Sequence, residues 1–282
     1  FPFYGTPDGG WAEGVFYATS YTRWYIPFFM AVERFAGVRY LDRPFYQRVI
    51  HYFMHFAPPE RENHPFCDGY WCSSNDEEWP GFFAQNPYRF YAERFGPARA
   101  VELSHKYAAP RIFKLHLLDI FIPAGKPPES HLTGEPSALG NFSKAGFVSC
   151  QTNVSDQSDN TALLIRASRY GSASHQHADQ GSFALIENNV TLITPSGYFG
   201  RAYGTRHHRE WTRTTQAHNC VLVDGVGQLP SSHTDVGVFT ECRRGDDGVF
   251  HVAVDLSQAY PMLLGYTRKF EFDGRELLII ED

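Results

Sequence analysis

Apolar positions in the first part of the chain recur at helical spacing, and in the last part they recur every second residue. The segment "SYTRWYIPFFMAVERFAGV" (20–38) carries an apolar stripe that closes at Gly37. "RPFYQRVIHYFMHFAPP" (43–59) does the same and is stopped by Pro58 and Pro59. "GPARAVELSHKYAAPRIFKLHLLDIF" (96–121) predicts two more short helices broken at Pro110. Paired helices with short connectors make a helical array. "IPAGKPPESHLTGEPSALGN" (122–141) is dense in Pro, Gly and Ser and reads as a linker. Beyond it the period is two. "AGFVSCQTN", "TALLIRAS", "GSFALIENN", "VTLITPSG", "NCVLVDGVG", "GVFHVAVDL" and "TRKFEFDGRELLIIED" predict short strands, with a hairpin at Asp273-Gly274. The pattern thus predicts an α+β multidomain chain: a helical part at 1–122, a linker at 123–144, and an antiparallel β-sandwich at 145–282. A cleft is expected between the two parts. The chain starts at Phe1 and stops at "ELLIIED", inside a predicted strand, so it reads as truncated at both ends, with room for a lost signal peptide.

Composition narrows the class. At 282 residues, 43% hydrophobic and 20% charged, the chain has room and apolar content for large soluble cores. Aromatics reach 16%, which suits cores first and sugar stacking second. A net charge of −6 argues against a polyanion-binding surface but leaves room for a local basic cleft, since Arg201, Arg206, His207, His208, Arg209 and Arg213 fall in one short span. No apolar run reaches the roughly 18 residues that a membrane span needs. The five cysteines, Cys67, Cys72, Cys150, Cys220 and Cys242, include no CxxC pair, and an odd count makes no disulfide framework. Cys67 and Cys72 read as buried thiols in preference to a bridge.

Candidate chemistry gathers in the second part. "SASHQHADQGSF" holds His175 and His177 two apart, followed by Asp179. In an extended segment, residues i and i+2 share a face. Such a pair makes half a metal site, or one ligand beside one acid/base group. "GYFGRAYGTRHHREWTRTTQAHNCVLVDGVGQ" then adds Tyr198, Tyr203, Arg206, His207, His208, Arg213, His218 and Asn219 between two predicted strands. Loops joining strands are where functional groups are placed, and a surface loop has no structural need for so many imidazoles.

These segments resemble the C-terminal β-sandwich of the heparinase II/III-like polysaccharide lyases: "HQHADQGSF", "GYF" and "YGTRHHREWTRTTQAHNCVLVDGVGQ" occur in the family's order. "PDGGWAEGVFYATSYTRWYIPFF" (7–29) and "HPFCDG" (64–69) resemble pieces of its helical domain, the second matching a "PFGDG" segment. The resemblance implies the C-terminal part of an incomplete (α/α) toroid followed by the sandwich. It also implies cleavage of uronic-acid polysaccharides by β-elimination, with alginate lyases of similar architecture in the same group. That chemistry wants a neutralised uronate carboxylate. It also wants Tyr or His groups to remove the C5 proton and protonate the leaving oxygen.

Residue by residue, the resemblance makes His175 the catalytic histidine and places Glu13 near the substrate carboxylate. A catalytic tyrosine is implied further along, and Tyr70 is the choice. Tyr17 and Tyr21 read as helix packing residues. Tyr203, Arg206, His207, His208 and Asn219 are substrate-binding candidates, Asn219 being also a candidate strand cap. His177 and His218 match ligands of a structural zinc. The third ligand is an aspartate in the family, but this chain has Thr194 or Pro195 there. Neither replaces a carboxylate on zinc, so the site is expected to be weakly occupied, empty, or rebuilt with Asp179. The implied partner is a uronate polysaccharide, heparin/heparan sulfate-like or alginate-like, with no nucleic acid and no membrane. The oligomeric state is left open, a homodimer included. The resemblance places the protein in the periplasm or outside the cell. Two rival functions are a non-catalytic carbohydrate-binding protein and a metal-dependent glycan hydrolase.

Overall fold

A computed structural model describes residues 4–59, 65–69, 85–106, 136–196 and 203–282. The first layer is helical. Helix α1 (Gly14–Ala36) ends at Gly37, whose left-handed backbone lets its N–H bond the carbonyl of Glu33. Pro27 lies inside it without ending it. Helix α2 (Pro44–Phe56) starts on Pro44, where a missing N–H is harmless. Helices α3 (Gln85–Phe95) and α4 (Ala98–Lys106) follow. The periodicity read from the chain did not include α3, and its second short helix, beyond Pro110, lies outside the described residues.

Among the described residues, nine strands follow in two antiparallel sheets, as the period of two predicts. Strands β1 (Leu139–Phe142), β2 (Phe147–Gln151), β3 (Thr161–Arg166), β4 (Ser182–Glu187) and β5 (Val190–Ile193) form a meander in chain order. Strands β6 (Val238–Arg244), β7 (Phe250–Asp255), β8 (Thr267–Phe272) and β9 (Leu278–Glu281) form the second sheet. The Asp273-Gly274 turn joins β8 to β9, and the Asp273 carboxylate accepts the N–H groups of Arg275, Glu276 and Leu277.

Alternation along β2, β3 and β4 decides how the layers stack. Phe147, Ala162, Leu164, Ala184 and Ile186 face the helices and join a core with Trp11, Tyr52, Phe53, Phe56 and Tyr91. Val148, Cys150, Leu163, Ile165 and Phe183 face the other way, onto Phe250, Val252, Val254, Phe270 and Phe272. The five-stranded sheet is therefore the middle layer, covered on both faces. That is why all five positions of β2 are buried. The helices and the first sheet share one apolar cluster. A buried polar seam adds to the contact: His55 Nδ1 lies 3.1 Å from Ser149 Oγ, and Gln151 Nε2 donates to the His55 carbonyl at 3.0 Å. Only glycine fits at Gly140, where a Cβ would sit 2.7 Å from the His55 ring.

Strand β1 falls inside the stretch read as a linker, 123–144. Its polar and Gly/Ser-rich surroundings mask it, yet Phe142 is buried against Tyr52 and Phe56 and anchors it to α2. Cys67, Cys150, Cys220 and Cys242 are free thiols, and Cys72 lies outside the described residues. No described helix is long and apolar enough to cross a membrane.

Because helices and sheet share a core, they should unfold together. Phe147 is 1% exposed and touches Tyr52, Phe56 and Phe66. Phe147→Ala should remove about 3–5 kcal/mol of stability. Helical and aromatic circular-dichroism signals followed through denaturant unfolding should shift by the same amount in one transition.

Candidate functional site

The loop from β3 to β4 and the segment 203–218 meet the short stretch 65–69, which lies between α2 and α3. His175 and His177 were expected on one strand face, but they lie in the β3–β4 loop. The loop's backbone bonds run to other segments instead of a ladder: Ser172 N–H to Ser232, Ala178 N–H to Arg213, and the Asp68 N–H to the His175 carbonyl. Ser174 and Cys67, directly before His175 and Asp68, both hold left-handed backbones with φ of 58° and 67°. Such conformations persist where surrounding contacts over-determine them, and they cluster at functional sites.

Asp68 is the hub. Its Oδ1 faces His177 Nε2 and His208 Nε2, each at 2.8 Å, and its Oδ2 faces His175 Nδ1 at 3.0 Å. The side chain is 1% exposed. Burial alone would raise its pKa, but hydrogen bonds from the three imidazoles hold it well below the usual carboxylate range. His177 and His208 are 2% exposed, whereas His175 keeps 19% of its side chain open. Tyr17 stacks on the His175 ring at 3.7 Å between centroids, and Tyr203 tilts over both His175 and His208.

Behind His177 lies a second cluster. One ligand-type atom from each of His177, Asp179 and His218 lies within 4.8 Å of the others. His177 Nδ1, His218 Nδ1 and Asp179 Oδ2 are all buried without a hydrogen-bond partner. His218 places its Nε2 3.1 Å from the Thr212 carbonyl. A carbonyl only accepts, so the N–H is at Nε2 and Nδ1 is a bare lone pair. Burial pushes the His218 pKa down to about 4, against the pull of Asp179, which keeps the ring neutral. Converging lone pairs with no donor between them suit a cation. Asp179 is itself fixed by the buried guanidinium of Arg166, which also donates to Gln176 Oε1 at 3.0 Å. Arg213 donates to the Ser172 and Gln176 carbonyls and ties the two segments together.

The other sequence candidates fall as follows. Glu13, expected beside the substrate carboxylate, is 2% exposed; Ser174 Oγ and Trp11 Nε1 donate to it at 2.5 and 3.2 Å. It supports the turn that carries His175. His208, expected at the substrate, is buried on Asp68 because its ring occupies the third position around that carboxylate. Asn219 bonds both Phe183 N–H and Phe183 carbonyl, and so braces β4 with its side chain. Arg206 pairs with Glu210 at the surface, and His207 is exposed, neither joining the cluster. Tyr203 is exposed beside His175. Thr194 is exposed, and neither it nor Pro195 belongs to the ligand cluster; Asp179 takes the carboxylate position. Tyr70 and Tyr198 lie outside the described residues. Sequence reasoning missed Asp68 although "HPFCDG" contains it, and it assigned Tyr17 to packing alone.

The family description "Heparinase II/III-like, C-terminal" matches residues 134–282. No curated protein matches the sequence. Among solved structures, a heparinase III gene product superposes with a TM-score of 0.67 at 18% identity, over 97% of this chain and 38% of that one. The heparan sulfate lyase HepC from Pedobacter heparinus gives 0.66 at 16% identity, over 98% and 38%. A further heparinase III gives 0.61 at 16% identity, over 98% and 40%. At these identities the likeness is one of fold, and this chain spans about two fifths of the length of those proteins.

The buried Arg166–Asp179 pair sets a stability test. Asp179→Ala strands a fully buried guanidinium and should destabilise the metal-free chain by about 3–5 kcal/mol. Replacing both partners with apolar residues, Arg166→Met with Asp179→Leu, should cost less than the single change, by chemical denaturation.

Proposed function

This chain belongs to the heparinase II/III-like family, and from that premise we propose that it is part of a polysaccharide lyase that cleaves uronate-containing glycans by β-elimination. A heparin- or heparan sulfate-like polymer is the first substrate class to test, since the neighbouring structures carry those names; an alginate-like polymer is the second. The observation that carries the reading is the division among the three imidazoles on Asp68. Two are buried, and His175 alone keeps an open edge, backed by the Tyr17 ring and flanked by Tyr203.

In β-elimination a base takes the proton at C5 of the uronate, the C4–O bond breaks, and an acid protonates the departing oxygen. A double bond forms between C4 and C5, and no water enters. His175 is positioned to move one of these protons, with Tyr70 proposed for the other. The stacked Tyr17 face fixes the plane of the His175 ring, and the hydrogen bond to Asp68 fixes its direction. A proton-transfer group so placed contributes about two to four powers of ten in rate. His177, Asp179 and His218 would hold a zinc ion, which when bound would anchor the two loops beneath His175 in a structural role. The missing Thr194/Pro195 carboxylate is no obstacle to this site, because Asp179 supplies one. A glycan substrate of this kind is met outside the cytoplasm, so the periplasm or the exterior is the proposed location.

The full-length protein should turn over a uronate polymer and generate an unsaturated product absorbing in the near ultraviolet. His175→Ala should lower that turnover by about two powers of ten or more; it also takes one donor from buried Asp68, so the variant should fold but be less stable by about 1–3 kcal/mol. Near-full turnover in His175→Ala would refute the role. Binding without any absorbance change in the wild type would favour a carbohydrate-binding protein, and cleavage without unsaturated product a hydrolase. Zinc titrated into chelator-treated protein should bind as a single equivalent and raise the melting temperature, and His218→Ala should abolish both effects.

A further inference from the structure

Three imidazoles meet Asp68 through particular nitrogens, and this settles more than their positions. Three ring nitrogens converge on the two Asp68 oxygens at 2.8–3.0 Å, an arrangement that a carboxylate fills by accepting from all three. Each nitrogen facing it must therefore carry the N–H: Nδ1 in His175, and Nε2 in both His177 and His208. His208 provides an internal check, because the Gly204 N–H points at its Nδ1 at 3.3 Å. That nitrogen accepts, so the ring is neutral with its hydrogen at Nε2, as the Asp68 contact requires.

The same logic reaches across His177. In the neutral ring, a hydrogen at Nε2 makes Nδ1 the lone pair. That atom is buried without a partner, beside the equally unpartnered Nδ1 of His218 and Oδ2 of Asp179. Were the tautomer reversed, a hydrogen would point into the cation site and a lone pair would face a carboxylate. In His175 the hydrogen at Nδ1 leaves Nε2 as the lone pair on the partly open ring.

We propose that Asp68 is a positioning residue that fixes two imidazoles in opposite tautomers: Nδ1–H on His175, leaving Nε2 for substrate, and Nε2–H on His177, leaving Nδ1 for a metal ion. The task given to His175 rests on the lyase reading above; the tautomers do not. Asp68 lies between helices α2 and α3, while both histidines lie in a loop of the β-sandwich. The helical side of the molecule thus sets the proton positions on the sheet side. A carboxylate is required because it accepts from all three rings at once. Asparagine would turn an N–H toward one of them and force that ring to reverse or turn away.

Nitrogen-15 spectra of histidine-labelled, metal-free protein at mildly alkaline pH read the tautomer of each ring directly. The expected result is Nδ1–H on His175 and Nε2–H on His177, His208 and His218. In Asp68→Asn, His175 or His177 should lose that tautomer, and zinc affinity by chelator competition should fall about 10- to 100-fold, whereas a folded variant within about twofold of wild type would overturn the proposal. Nδ1–H on His177 or Nε2–H on His175 in the wild type would overturn it equally. If Asp68→Asn does not fold, the wild-type spectra still decide the matter. Failure of the lyase reading shows itself separately: no unsaturated product from any uronate polymer, with these tautomers in place, removes the reaction and leaves the positioning role standing.

Discussion

One buried carboxylate, Asp68, holds the candidate site together. It receives hydrogen bonds from His175, His177 and His208, and its own backbone N–H donates to the His175 carbonyl. A buried ion is stable only when its lone pairs are met by donors, and here three ring N–H groups meet them. The requirement works in both directions. The carboxylate needs the imidazoles because it is out of water, and the imidazoles take their orientation from it. Residues of the β3–β4 loop and the 203–218 segment are therefore tied to a stretch that otherwise belongs to the helices.

The layered core makes that tie possible. Strands β2 to β4 of the five-stranded sheet carry apolar residues on both faces, so the helical layer and the second sheet are each packed against them. The β3–β4 loop leaves this sheet at Arg166, whose guanidinium is fully buried and clamps Asp179 and Gln176. Arg213 holds the next segment against the same loop by donating to two of its carbonyls. The histidines are thus mounted on loops whose irregular backbone is tied to neighbouring segments at Ser172, His175, Gln176 and Ala178. Such mounting is what a proton-transfer group or a metal ligand needs, since both tolerate little displacement.

Burial then divides the labour. Four imidazoles lie within one connected set, and three of them, His177, His208 and His218, have side chains only 2% exposed. Neutral rings in that environment serve as fixed donors and acceptors. His175 differs by its open edge and its aromatic support. The same residue type performs structural and chemical duties according to where the fold puts it.

The local elements were legible in the chain. The change of period from helical to two, the stop at Gly37 and the turn at Asp273-Gly274 all report interactions between residues a few positions apart, which sequence spacing records directly. The candidate histidines were legible too, because imidazoles crowded into connecting segments have no local purpose. What the chain could not disclose is who meets whom. Asp68 lies 107, 109 and 140 positions from its three partners. Nothing in the period of "HPFCDG" marks that aspartate as a hub, and nothing in "RHHRE" separates the buried His208 from the exposed His207. Asp179 was recognisable as an available carboxylate, but its place beside His177 and His218 follows from the loop that Arg166 and Arg213 shape. Strand β1 was hidden by its Gly- and Ser-rich setting and becomes a strand because Phe142 finds a pocket between Tyr52 and Phe56. Residue type and spacing determined which groups were present and which elements carried them. Only packing of the helices against the middle sheet brought the carboxylate to the imidazoles, because that contact joins segments whose separation along the chain leaves no trace in local pattern.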